Sequence, residues 1–292
     1  MKIRLIYLGI FLAALSIGYI SAAPVFKKNS DETGPAARVG QEVSIPQNKT
    51  LSETEILDEN NDWKTEDDLK FKIRMVEVGE GYHGDEIEAK NGEAWLSLSA
   101  EDDKCFLKRE KVTVRRAVDV VLDDEKLNHK TGKSVSVNSK AASIFLLKKA
   151  DKLKEGEIKT LYRYAHPRET TTGEDEKLFS LKIGFVRTFT LENKTYTLSV
   201  KRGKNRANED VIALILENGT SKQVLHSYRS FSNDDYIGIL DWVGDLDRDG
   251  KPDLYLDLYV NDNAVYKNLF LSSEAEKGKL VKKVATFTIT GC

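Results

Sequence analysis

From Leu69 onward, apolar and polar residues alternate. "LKFKIRMVEV" places Leu69, Phe71, Ile73 and Met75 at every second position. That is the period of a strand with one face buried. The runs "AWLSLS", "KVTVRRAVDVVL", "SVSV" and "SIFLL" follow at short intervals, separated by clusters of Gly, Asn, Asp and Lys. Past Ile158 the hairpins are cleaner. "FTLENKTYTLSV" sets Glu192, Asn193 and Lys194 between two alternating runs, and "VIALILENGTSKQVL" sets Asn218 and Gly219 between two more. Asn-Gly marks a hairpin because both residues tolerate positive φ. Two stretches read as one or two helical turns: "AASIFLLKKADKLKEG", ending at Gly156, and "SSEAEKG" near Ser272. The pattern predicts a mainly β chain. Its antiparallel sheets would form a sandwich or small barrel-like units, with few short helices.

The same pattern suggests an organisation. Residues 69–157 are expected to form an N-terminal β domain and residues 158–292 a C-terminal one. "HPRETTTGEDEK", residues 166–177, reads as a linker or long surface loop. Residues 23–68 are polar with little periodicity, which predicts a flexible leader. Residues 1–22 have the layout of a secretory signal peptide: Lys2 and Arg4, an apolar run from Leu5, then small residues before a cut after Ala22. The competing reading is an uncleaved anchor, since the run from Leu5 to Ala23 is nearly long enough to span a bilayer. Cleavage predicts a periplasmic or secreted protein with no membrane span left.

Composition narrows the function classes. The chain has 292 residues, 40% of them hydrophobic, so a sizeable core is possible. A formal net charge of −2 gives no basic footprint for nucleic acid. "VKRGKNR", residues 200–206, contains Gly203 and reads as a hairpin tip, and "LKREKVTVRR", residues 107–116, as a solvated strand face. Neither has the aromatic interleaving that single strands stack on.

Candidate chemistry outside the C-terminal third is thin. Cys105 and Cys292 make an even pair, and an oxidising compartment predicts a disulfide between them. The alternative is two unrelated thiols. His83, His129, His166 and His226 show no zinc spacing, and no G-x-S-x-G elbow is present. "KTGKS", residues 130–134, lacks the upstream glycine of a phosphate loop and reads as a turn. "GEGYHGDEIE", residues 79–88, gathers Tyr82, His83, Asp85 and Glu86, and reads as a polar turn before a site loop. Trp95 and Trp242 sit at strand positions and are expected in the core. No catalytic residue is assigned.

One stretch changes the picture. "GDLDRDGKPDLYLD" covers residues 244–257. Counting from Asp245, carboxylates fall at positions 1, 3, 5 and 9: Asp245, Asp247, Asp249 and Asp253. Gly250 allows a sharp turn, and Lys251 offers a backbone carbonyl. Alternate residues of a tight loop can point inward around one hard cation, and calcium takes many oxygen ligands at flexible geometry. Four carboxylates gathered without a cation would repel one another. Leu256 stands where an EF-hand needs a bidentate Glu, and the flanks "YIGILDWV" and "DLYLDLYV" read as strands.

The segment resembles the calcium loops of FG-GAP and VCBS-type repeats, which build integrin-like propellers. They share the D-x-D-x-D-G-x-x-D-L pattern between two strands. The likeness covers about two dozen residues and occurs once, so it implies a structural Ca2+ site and no propeller. "LFLSSEAEKGKLVKKVATFTITGC" also resembles the ending of uncharacterised exported bacterial proteins. The sequence therefore predicts an exported calcium-binding β protein of unknown biochemical activity, a non-enzymatic binding or envelope-associated protein with a protein or glycan partner in the envelope or outside the cell. The alternative is a secreted or periplasmic hydrolase with a structural calcium.

Overall fold

A computed structural model describes residues 71–119, 121–123, 129–164, 179–229, 236–261 and 264–290. The signal, the leader, the 166–177 loop, His166 and Cys292 lie outside the described residues. What is described is built from antiparallel strands, and no helix occurs among the described residues.

The chain opens with two short strands, β1 (Arg74–Val76) and β2 (Gly79–Tyr82). β3 (Ala94–Glu101) and β4 (Lys104–Ala117) form a hairpin, and β5 (Gly132–Val137) pairs with the far half of β4. β6 (Ala142–Lys148) lies between β1 and β3. This strand is the predicted run "SIFLL", and the helical turns expected between it and Gly156 do not form. Its central residues Phe145, Leu146 and Leu147 are all buried, and Lys149 and Gly156 take positive φ, which no helix accommodates. The second expected helix, after Ser272, is a pair of tight turns closed by Ala275 N–H to Ser272 O and Lys279 N–H to Glu276 O.

β7 (Gly156–Arg163) pairs with β4 on one side and with β13 (Tyr236–Asp245) on the other. One sheet therefore runs across residue 158, the expected domain boundary. It continues through β14 (Asp253–Asn261), β15 (Ala264–Leu271) and β16 (Lys282–Thr290), with β8 (Ser180–Lys182) at the start of β13. The sheet has 12 strands and is nearly closed into a barrel, its terminal strands β1 and β16 lying beside each other. The barrel interior holds Trp95, Leu98, Leu107, Phe145, Ile158, Trp242, Tyr255 and Phe287. Both tryptophans are core residues, as their strand positions predict.

A second sheet of four strands has the order β12-β11-β10-β9: β9 (Val186–Leu191), β10 (Lys194–Lys204), β11 (Asp210–Glu217) and β12 (Lys222–Arg229). Glu192 and Asn193 both have positive φ and form the two-residue β9–β10 turn. The hairpin expected at residues 200–206 turns at their far end, past Gly203. Gly203 pairs with Val211 inside β10–β11, and the tip lies at Asn205–Glu209, where both backbone and side-chain hydrogen bonds close the loop. The small sheet packs on the outer face of the barrel. Leu198, Leu214 and Leu216 share a core with Leu240, Leu254, Leu256 and Leu258. β14 thus buries both faces: its leucines in this second core, and Tyr255 in the barrel.

Candidate metal centre

The acidic loop joins β13 to β14 where the two cores meet. Asp245 ends β13, Asp253 begins β14, and Gly244 pairs with Asp253 across the strands. Arg248 and Gly250 both take positive φ, so the chain doubles back twice in three residues. Gly250 also runs close to the β9–β10 turn. A Cβ there would lie 3.0 Å from Glu192 Cγ. Arg248 reaches the other way and donates to the backbone carbonyls of Glu155, at 3.0 Å, and Glu157. The loop is thereby tied to β7 of the barrel and to the small sheet.

Carboxylate oxygens of Asp245, Asp247 and Asp253 all lie within 4.8 Å of one another. Calcium sits 2.3–2.6 Å from oxygen ligands, so one ion reaches oxygens spread over that span. Asp253 is completely buried. Its Oδ2 accepts from Leu246 N–H at 2.7 Å and from Asp247 N–H at 3.2 Å. Its Oδ1 accepts from Ser272 N–H at 2.7 Å and Ser272 Oγ at 3.0 Å. Burial, then the neighbouring charge of Asp247, push the Asp253 carboxyl well above its ordinary pKa despite these donors. Asp245 is raised as well, first by burial. Gly250 N–H donates to it at 3.2 Å.

The other two expected ligands stand differently. Asp249 turns one oxygen to Ser272 Oγ at 2.9 Å and the other to the Lys251 ammonium at 3.0 Å. Its carboxylate lies outside the group of three. Lys251 reaches Asp249 through its side chain. Ser272 was invisible as a site residue in the sequence. It follows Asp253 by 19 positions and arrives through the β14–β15 ladder.

Two further groupings of titratable residues escaped sequence reasoning. Inside the barrel, Lys267 of β15 faces Asp241 of β13 at 3.0 Å, Asp257 of β14 at 3.5 Å, and Glu77 at 4.0 Å. Tyr255 donates to Glu77 at 2.6 Å. The Lys267 and Asp241 side chains are each only 7% exposed. Burial raises Asp241 to about 6, against the pull of Lys267. Burial opposes the Lys267 charge, yet the three carboxylates outweigh it and raise its pKa. The second grouping is a pair: His83 Nδ1 lies 2.5 Å from Asp119 Oδ2. Asp119 also accepts from Val121 and Leu122 N–H. The hydrogen bond to Asp119 raises the His83 pKa above its ordinary value.

Cys105, expected in a disulfide, is a buried residue of β4. Its expected partner Cys292 lies outside the described residues. No family model matches the chain, and neither the curated proteins nor the solved structures searched give a match.

Proposed function

We propose that the chain is an exported β protein whose Asp245, Asp247, Asp249 and Asp253 hold a structural calcium ion, with Lys251 offering its backbone carbonyl. One observation carries this reading: three carboxylates converge within 4.8 Å, one of them wholly buried. Without a cation that arrangement costs desolvation and repulsion together. Asp249 joins the ion by exchanging the Lys251 ammonium for the metal. The ion acts as a fastener, since the loop already touches Glu157 of β7, Ser272 just past β15 and the β9–β10 turn. We take the protein's role to be non-enzymatic binding of a protein or glycan partner in the periplasm or outside the cell.

Thermal unfolding tests the metal. At calcium one hundredfold above Kd, binding adds about 2.7 kcal/mol. For a unit of this size that raises Tm by roughly 5–10 °C over EDTA. Magnesium at the same concentration gives a smaller shift, and Asp247→Ala abolishes the response. Equal Tm values in calcium and EDTA would sink the proposal.

The hydrolase alternative is favoured by the His83–Asp119 pair, which holds an imidazole by one nitrogen as general bases require. It is the weaker reading, because the further charges acting on that imidazole beyond Asp119, those of Glu86 and Asp85, are acidic too. A hydrolytic activity lost in His83→Ala but kept in Asp247→Ala with calcium would favour it.

A further inference from the structure

The barrel closes by two different chemistries. Every neighbouring pair from β6 round to β16 is joined by a backbone ladder. Among the described residues no ladder joins β1 to β16, although they lie side by side. Side chains from the β1–β2 segment cross that seam instead. Glu77 reaches Tyr255 OH at 2.6 Å and Lys267 Nζ at 4.0 Å. Tyr82 packs edge-on against Phe287 of β16, with ring centroids 5.5 Å apart. Glu86 accepts from Thr290 N–H at the end of β16 with one oxygen, and from His83 N–H with the other.

The groups behind the seam carry more negative than positive charge. One ammonium, Lys267, serves three carboxylates from three directions: Asp241 on β13, Asp257 on β14 and Glu77 on the seam segment. Tyr255 and Tyr82 face the same cluster, and Tyr162 of β7, stacked against Arg187, faces Asp241 from the far side. With every carboxylate ionised the largely buried cluster holds an uncompensated charge of −2. A proton bound inside relieves it. When the seam opens, the carboxylates are hydrated and hold that proton far less tightly.

We propose that the seam between β1–β2 and β14–β16 is a proton-operated closure, in which proton uptake by the Lys267 cluster shuts the barrel and proton loss loosens it. The direction follows from linkage: the state that binds the proton more tightly gains as pH falls. Asp241 accepts the proton, being the most buried carboxylate of the three and raised to about 6. An opened seam returns it to the ordinary carboxylate range near 4. Between pH 7.5 and pH 5 the closed form then gains about tenfold over the open one.

Hydrogen exchange of the full chain in saturating calcium tests this. Exchange is corrected for its intrinsic pH dependence and followed in peptides covering 71–90 and, as a control, 210–229. The seam peptide gains about tenfold in protection from pH 7.5 to pH 5, and the control does not move with it. Asp241→Asn removes most of that gain. Glu77→Gln, which cuts the charge link across the seam, lowers protection at pH 5 by threefold or more. Equal seam protection at both pH values overturns the proposal, as does a gain shared by the control peptide. So does a full tenfold gain in Asp241→Asn. Should that variant fail to fold, the wild-type profile and Glu77→Gln still decide.

Discussion

Asp253→Ala separates the bonding that the acidic loop supplies itself from the metal role proposed for it. In EDTA no ion is bound, so any loss of stability comes from the chain itself. The carboxylate accepts backbone N–H groups of Leu246, Asp247 and Ser272, and the Ser272 hydroxyl. Truncation leaves the Leu246 and Ser272 donors buried without an acceptor. The hydroxyl keeps its bond to Asp249. Each orphaned buried donor costs about 1–3 kcal/mol, so the two cost about 2–6 kcal/mol. Removing a desolvated charge beside Asp247 offsets part of this, leaving a net loss of roughly 2–4 kcal/mol. Asp247→Ala is the contrast. Among the described residues its carboxylate accepts two long bonds, from Asp249 N–H at 3.2 Å and Ser273 N–H at 3.3 Å. Its loss in EDTA is below about 1 kcal/mol. Urea unfolding in EDTA measures both, and calcium titration shows both variants without a metal response. Asp253→Ala within 0.5 kcal/mol of wild type in EDTA, against the roughly 2–4 expected, would refute the reasoning.

Two more predictions rest on the barrel. Asp241 has a folded pKa of about 6, above its unfolded value, so its contribution is present below about pH 4 and lost as pH rises through 6. Asp241→Asn therefore flattens urea stability between pH 4 and 7, by on the order of 2 kcal/mol relative to wild type. Gly238→Ala destabilises by about 2–5 kcal/mol, because its φ is 150° and a Cβ would sit 2.0 Å from Asp257 O, forcing β13 off β14. Chemical denaturation of the purified variant checks it.

Much of this architecture was legible because strands announce themselves by alternation. Asn193 and Gly219 marked their hairpins, and the spacing from Asp245 to Asp253 brought three carboxylates together. The polar cluster was hidden for the same reason that the strands were visible. In "DLYLDLYV" the face carrying Tyr255 and Asp257 reads as the solvent side, opposite a leucine face. A sheet curled onto itself has no solvent side there, and the small sheet covers the leucines. Asp241 was further concealed by a register shift between Leu240 and Trp242. Two residues apart, they enter different cores, which strict alternation forbids. Glu77 and Lys267 are 190 positions apart, and no local pattern links them.

The pairing of β7 with β13 sets the order in which the chain can be completed. Trp242 lies opposite Arg163 in that ladder, some 80 residues further on. Synthesis delivers the N-terminal end first. β3, β4 and β6 can pair as soon as they emerge, since their partners are near in sequence. β7 then waits with one edge bare while the whole small sheet is delivered. Such long-range pairings slow folding towards the millisecond-to-second range. In that interval the bare edge of β7 is the place where two unfinished copies would join, so crowded synthesis should favour their association there.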